Sequence, residues 1–218
     1  MVMTNSTWTQ NHIESLFGKS SLISVLYPPC DTEALSSFPF QPRKPLIVSL
    51  AQFRPEKNHR LQIEAFSRLL ERNPEYRMPP ASDPVSTVAT PGDLGDPEYP
   101  QLVIIGGARD SEDKARAAEL RRLARDLKLD RQVHVIVNAP YSAIKQWLAV
   151  ALVGIHTMVD EHFGISIVEF LSAGLVTIAN SSAGPLMDIV IPANRVSPET
   201  GLCVKQQDAV GFLASDAG

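Results

Sequence analysis

Residues 151–179 read ALVGIHTMVDEHFGISIVEFLSAGLVTIA. The stretch opens with a short run of mostly apolar residues at 151–156, passes through a polar loop at 157–164, and then sets Ile, Val, Phe and Leu at helical spacing over 165–173. Gly174 stands where a left-handed residue ends a helix, and a second β-branched run follows over 175–179. Strand, loop, helix and strand in so short a span predict two parallel strands joined by a covering helix.

The same order recurs toward the N-terminus. LIVSL at 46–50, LVII at 102–105 and VHVIV at 133–137 predict strands, and helical patterns fall over 58–72, 112–128 and 142–149. In the first helix Leu61, Ala65, Phe66 and Leu69 share one face. In the second, Leu120, Leu123, Ala124 and Leu127 turn inward, and Arg116, Arg121, Arg122 and Arg125 form a solvated face. LISVLY at 22–27 reads as a further extended segment stopped by Pro28 and Pro29, and 202–204 as a last short strand. The expected class is therefore α/β: a Rossmann-like parallel sheet of about five strands with helices on both faces and ligand loops at the strands' carboxyl ends. Between about 73 and 100 proline recurs too often for helix or central strand, which predicts a proline-rich surface insertion.

Composition narrows the function classes. The 218 residues, 44% apolar and 20% charged, suffice for one domain with a sizeable core. A formal net charge of -4 argues against a nucleic-acid partner and favours small molecules. Two cysteines, Cys30 and Cys203, are too few for a disulfide framework or a structural zinc site, and a reducing compartment is expected. No apolar run is long enough for a membrane span, and MVMTNSTWTQNH lacks the features of a signal peptide.

Four loops converge on the binding edge: 51–58, 106–110, 157–164 and 180–185. The first carries Arg54 and Lys57 before a helix, so two cations and free backbone N–H groups can meet one anion such as a diphosphate; taken alone, the loop reads first as a solvated turn. Gly106-Gly107 permits close backbone approach to a ligand, or merely a tight turn. The pair lacks the rest of a GxGxxG fingerprint, and no GxxxxGK[ST] loop occurs, so a dinucleotide or P-loop site is not expected.

Glu161 and Glu169 are the most informative pair. On a continuous helix they would lie roughly 12 Å apart along the axis, too far to share a metal or a proton but suited to two ends of one extended ligand. Gly164 admits a ligand between them, and carboxylates suit hydroxyl donors. The bland alternative makes Glu161 a partner of the helix dipole and Glu169 a solvated residue. His162 can serve as acid or base or simply pack beside Phe163. His134 and His156 fall in strand patterns and read as core or edge histidines, and His59 opens a helix. No histidine has metal-cluster spacing and no Asp-x-Asp occurs, so no metal and no cofactor are expected.

With these loops in place the chain resembles the donor-binding half of retaining glycosyltransferases of the two-Rossmann-domain GT-B type, family four. The carrying features are Glu161-x7-Glu169 around His162-Phe163-Gly164, the Arg54-Pro55-Glu56-Lys57 loop, and residues 180–185. QFRPEKNH, LVIIGGARDSED, IHTMVDEHFGISIVE, SSAGPLMDIV and YPPCDTEAL are similar to the α-1,2-mannosyltransferases of that family that extend the dolichol-linked oligosaccharide of N-glycosylation.

That resemblance implies a donor, GDP-mannose, and a dolichol-linked oligosaccharide acceptor held by an N-terminal domain absent from this chain. It implies work at the cytosolic face of the endoplasmic reticulum membrane, with membrane association through absent segments. It divides the chain into a linker and crossover segment at 1–40 and a nucleotide-sugar-binding domain at 41–218 that lacks its closing helices, a fragment expected to be inactive alone. It implies that Lys57 and Arg54 meet the diphosphate, Glu161 the sugar hydroxyls and Glu169 the ribose. It also sets His162, Phe163, Gly164, Ile165 and Gly107 around the donor and Asn138 near guanine. Gln52 stands where the broader family has Arg, and Ala51 where it has Gly; Arg54 is then the candidate for the missing charge. Two alternatives stay open: a family-four enzyme using a UDP-sugar, and a noncatalytic nucleotide-binding module.

Overall fold

The computed structural model describes residues 1–39, 41–79, 87–190 and the strand at 202–204. The middle of the proline-rich insertion, 80–86, and the tail at 205–218 lie outside the described residues. The chain runs β1 (Val2–Thr4), α1 (Thr7–Phe17), β2 (Ile23–Val25), α2 (Thr32–Ser36), β3 (Lys44–Leu50), α3 (His59–Arg72), β4 (Gln101–Gly106) and α4 (Ser111–Asp126). It continues through β5 (Val133–Val137), α5 (Tyr141–Val150), β6 (Ala151–His156), α6 (Ile165–Ser172), β7 (Val176–Asn180) and β8 (Leu202–Val204).

Among the described residues six strands form one parallel sheet in the order β5-β4-β3-β6-β7-β8. The chain winds one way from β3 to β5 and the other way from β6 to β8. Right-handed crossovers therefore place α3 and α4 on one face and α5 and α6 on the other. Successive residues of β3 serve opposite cores. Ile47 packs with Phe66, Leu70, Ile104 and Leu120, while Leu46 and Val48 pack with Val103, Trp147 and Phe170. The winding reverses between β3 and β6, and the carboxyl ends of the strands beside such a reversal are where ligands bind in these sheets.

Several expectations change. The main sheet has six strands rather than five, and the segment at 22–27 is not among them: β2 pairs in parallel with β1, joined through α1. Ser6 caps α1 by accepting from Thr9 N at 3.1 Å, and Gly18 at φ 84° ends it. On α3 the inward face centres on Ile63, Phe66 and Leu70, with Leu61 and Leu69 half-buried. The helix is rotated from the expected setting because polar His59 and Gln62 also face inward, where Gln62 finds a partner at the end of β6. Arg121 is not simply solvated: its Nη2 donates to Val135 O, 2.7 Å away on the edge strand β5. The proline-rich stretch is not wholly a surface excursion either. Pro91 is buried, Val88 and Leu94 cover the second core, and Ala89 O accepts from Trp147 Nε1 at 3.1 Å.

Candidate functional site

Lys57 ends a single 3-10 turn, Pro55–Lys57, between β3 and α3. Its position is held from both sides. Thr157 Oγ1, just past β6, donates to Lys57 O at 2.8 Å and accepts from Gln62 Nε2 at 2.8 Å. Asn58 at φ 52° then turns the chain into α3. So fixed, Lys57 reaches across the switch point: its Nζ lies 2.5 Å from Glu161 Oε2 and 3.1 Å from Met158 Sδ.

A second donor meets the same carboxylate oxygen, His156 Nε2 at 3.2 Å. Burial would raise the Glu161 pKa, but hydrogen bonds from His156 and Lys57 and the Lys57 charge outweigh it, and the pKa falls to about 2. Beside them His59 is buried, and burial together with the His156 and Lys57 charges pulls its pKa down to about 4. His59 therefore stays neutral at pH 7.

The Glu161 loop is tied to the loop after β7. Asp160, at φ 53°, donates its N–H to Ser182 Oγ at 2.8 Å, Ser182 Oγ donates to Asn180 Oδ1 at 2.7 Å, and Gly184 N donates to Glu161 O at 3.0 Å. Gly164, at φ 104°, is the residue before α6 and offers no side-chain cap. The first N–H groups of α6, at Ile165 and Ser166, therefore remain for an incoming acceptor. Because α6 begins only at Ile165, Glu161 lies in the loop, and the helical estimate of the Glu161–Glu169 separation does not apply.

Glu169 lines a cleft of about 530 Å³ with Ala51, Gly107, Asn138, Ile165 and Ser166. Burial pushes its carboxyl pKa up. The two neighbouring glycines differ in role. A Cβ on Gly106 would lie 2.2 Å from Ala51 O, so the turn requires that residue, whereas Gly107 faces open cleft. Asn138, at φ 57°, engages its side-chain amide with the loop after β4: Oδ1 accepts from Ala108 N at 2.8 Å and Nδ2 donates to Ala108 O at 3.3 Å. It shapes the cleft wall, and its amide is already occupied.

The structure brings Lys57 to Glu161, and Gly107, Asn138 and Ile165 to Glu169. It separates Arg54 from this group. Arg54 lines a hollow between α3 and α4 with Arg60 and Arg116, and its buried Nε has no partner among the described residues. Lys57 is not among the residues lining that hollow, and Arg54 does not line the Glu169 cleft. His162 is exposed and stacks on Trp8 of α1 at 5.1 Å between ring centroids, and buried Phe163 stacks on Tyr27 at 5.5 Å. Their side chains thus hold the N-terminal segment, reinforced by Asp188, which accepts from Thr7 N and Tyr27 OH at 3.0 Å each.

Sequence reasoning missed His156 and the Gln62–Thr157 clamp. The available signal was position: His156 is the last residue of a strand whose carboxyl end lies on the binding edge.

A family model described as "Glycosyl transferases group 1" matches residues 96–214. The GDP-Man:Man(3)GlcNAc(2)-PP-Dol alpha-1,2-mannosyltransferase of Homo sapiens is 39% identical over 218 residues, covering 98% of this chain and 38% of that protein. The Dictyostelium discoideum protein of the same name is 39% identical over 221 residues, with 99% and 37% coverage. The chain thus spans under two-fifths of the length of these relatives. Among solved structures, a Rickettsia africae glycosyltransferase aligns with a TM-score of 0.70 at 16% identity, covering 98% of this chain and 51% of that one. Anabaena Alr3699/HepE, solved in complex with UDP and glucose, aligns with 0.68 at 17% identity, with 98% and 52% coverage. At these identities the structural likeness concerns the fold.

Proposed function

The chain belongs to the glycosyl transferases of group 1, and on that premise we propose that it is the donor-binding part of a retaining α-1,2-mannosyltransferase. The donor is GDP-mannose and the acceptor a dolichol-linked oligosaccharide of N-glycan precursor assembly at the endoplasmic reticulum membrane. Among the described residues no helix is long and apolar enough to cross a membrane. On this reading membrane association and acceptor binding come from elsewhere in the enzyme.

The observation that carries the proposal is the arrangement of Lys57 against Glu161 on one side of Gly164 and Glu169 in the cleft on the other. Glu169 is set to accept the ribose hydroxyls of a nucleotide lying in the cleft. The diphosphate then falls at the α6 N-terminus, where the Ile165 and Ser166 N–H groups and the Lys57 ammonium supply positive charge. Glu161, held ionised, accepts the sugar hydroxyls. In the transfer the anomeric carbon–oxygen bond to the diphosphate breaks and the acceptor oxygen bonds to the same face of the sugar, its proton passing to the departing diphosphate. Negative charge grows on the departing diphosphate, and fixed donors placed there lower the barrier. The role a divalent ion plays in other glycosyltransferases falls here to Lys57 and the helix start.

Calorimetric titration with GDP, UDP, GDP-mannose and guanosine tests the proposal. GDP and GDP-mannose should bind, with UDP and guanosine clearly weaker. Preference for UDP would move the chain to a UDP-sugar enzyme, and binding of none of them would favour a module that only keeps the fold.

A further inference from the structure

Lys57 and His156 both address Oε2 of Glu161, and among the described residues Oε1 accepts no hydrogen bond. The two donors differ in how they are mounted. Lys57 reaches Oε2 on a flexible four-carbon stem from a turn. The His156 ring stands on the last residue of β6, paired with Ala179 of β7, and is 4% exposed. A carboxylate can only accept, so the proton on the facing side of the ring is at Nε2; the buried Nδ1 has no partner. The charged or titratable groups around this contact are Lys57 and His59 of the β3–α3 segment and Glu161 itself.

Resting on the donor-site reading above, we propose that His156 is the positioning residue that keeps the Glu161 carboxylate in place when Lys57 turns to the donor's diphosphate. The ammonium cannot serve the diphosphate and neutralise Glu161 equally well. Once it moves, a half-buried carboxylate with no remaining donor would be drawn toward protonation, and its free oxygen would no longer be a fixed acceptor for the sugar. The rigid Nε2–H donor at 3.2 Å prevents this and leaves Oε1 directed to the ligand. The Lys57–Glu161 ion pair thus gives way on donor binding, and the histidine contact persists.

The withdrawn lysine can be imitated without a ligand. In Lys57→Met the Glu161 carboxyl, followed by carbon-13 NMR and assigned through Glu161→Gln, should still titrate below an ordinary glutamate. In Lys57→Met/His156→Leu it should titrate clearly higher, and Lys57→Met/His156→Gln, which restores an amide donor, should bring it back down. Identical titration in the three folded variants would overturn the proposal. Binding supplies the second arm. His156→Leu should weaken GDP-mannose by about tenfold or more while GDP changes little, and His156→Gln should recover most of the loss. Equal loss of both ligands without recovery would show a merely structural role and overturn the proposal. Failure of the wild type to bind either nucleotide would overturn the donor reading, and the ligand-free titration would still decide whether His156 holds the carboxylate.

Discussion

Gly184 packs against the carbonyl of His162 with no room for a side chain: a Cβ there would lie 2.4 Å from that oxygen. Its φ of -57° is open to any residue, so the constraint is purely one of space. Gly184→Ala must push the two loops apart and disturb the Gly184 N–H bond to Glu161 O. The expected loss of stability is about 1–3 kcal/mol. GDP-mannose affinity should fall more than GDP affinity, as calorimetry and thermal melting would show.

The Glu161 carboxyl gives the fold a defined acid response. Its folded pKa, about 2, lies below the ordinary 4.5, so the unfolded chain binds more protons between these values. The stabilisation is fully present above about pH 4.5 and fades as pH falls toward 2. Wild type should melt above Glu161→Gln at pH 7, and the gap should close on acidification. A gap constant down to the lower limit would refute the ionised pair.

Removal of the lysine charge should be felt by the phosphates. Lys57→Ala is expected to weaken GDP by roughly 1.5–3 kcal/mol, the range for a charge-assisted contact, with guanosine binding nearly unchanged. Equal GDP affinity in wild type and folded variant would remove Lys57 from the site.

The two glutamates should separate by ligand. Glu169→Gln should weaken GDP and GDP-mannose together, and Glu161→Gln should weaken GDP-mannose alone. Glu169 carries a further signature. Its raised folded pKa means that the ionised form is disfavoured in the fold, so stability declines as pH rises past the ordinary carboxylate value. Glu169→Gln should therefore be no less stable than wild type at neutral pH while binding GDP worse, and a large drop in melting temperature would contradict this.

If the diphosphate is neutralised by Lys57 and the α6 start, a chelator should not matter. GDP affinity measured with EDTA should match that measured with magnesium or manganese. A large dependence on the metal would require another account of the diphosphate site.

The elements most legible in the sequence were those whose side chains alone decide their place. Val133–Val137 and Ala151–His156 are dense β-branched or apolar runs, and both strands match their expected bounds. Val2–Thr4 has two exposed residues and little hydrophobic alternation, so nothing local marked it as the partner of Ile23–Val25. The site was legible to the level of loops. Lys57, Glu161 and Glu169 could be singled out as candidates because charges beside Gly164 and a helix start are chemically distinctive. That Arg54 lines the hollow with Arg60 and Arg116 was not legible, because residue type does not encode how a 3-10 turn orients the side chains around it. His156 stayed hidden because an apolar strand pattern gives no weight to which end of the strand a polar residue occupies.

The bond from Arg121 to Val135 O has a bearing on how the molecule behaves in company. Among the described residues β5 is the outermost strand of the sheet on its side, and outer carbonyls of such an edge strand are acceptors on which another strand could pair. A guanidinium seated on one of them withdraws an acceptor from that docking register and brings a charge that an incoming neutral strand would have to displace. The same arginine that looks like ordinary solvent-facing charge on α4 is therefore bound to the rim of the sheet, and a neutral replacement would leave that edge acceptor free.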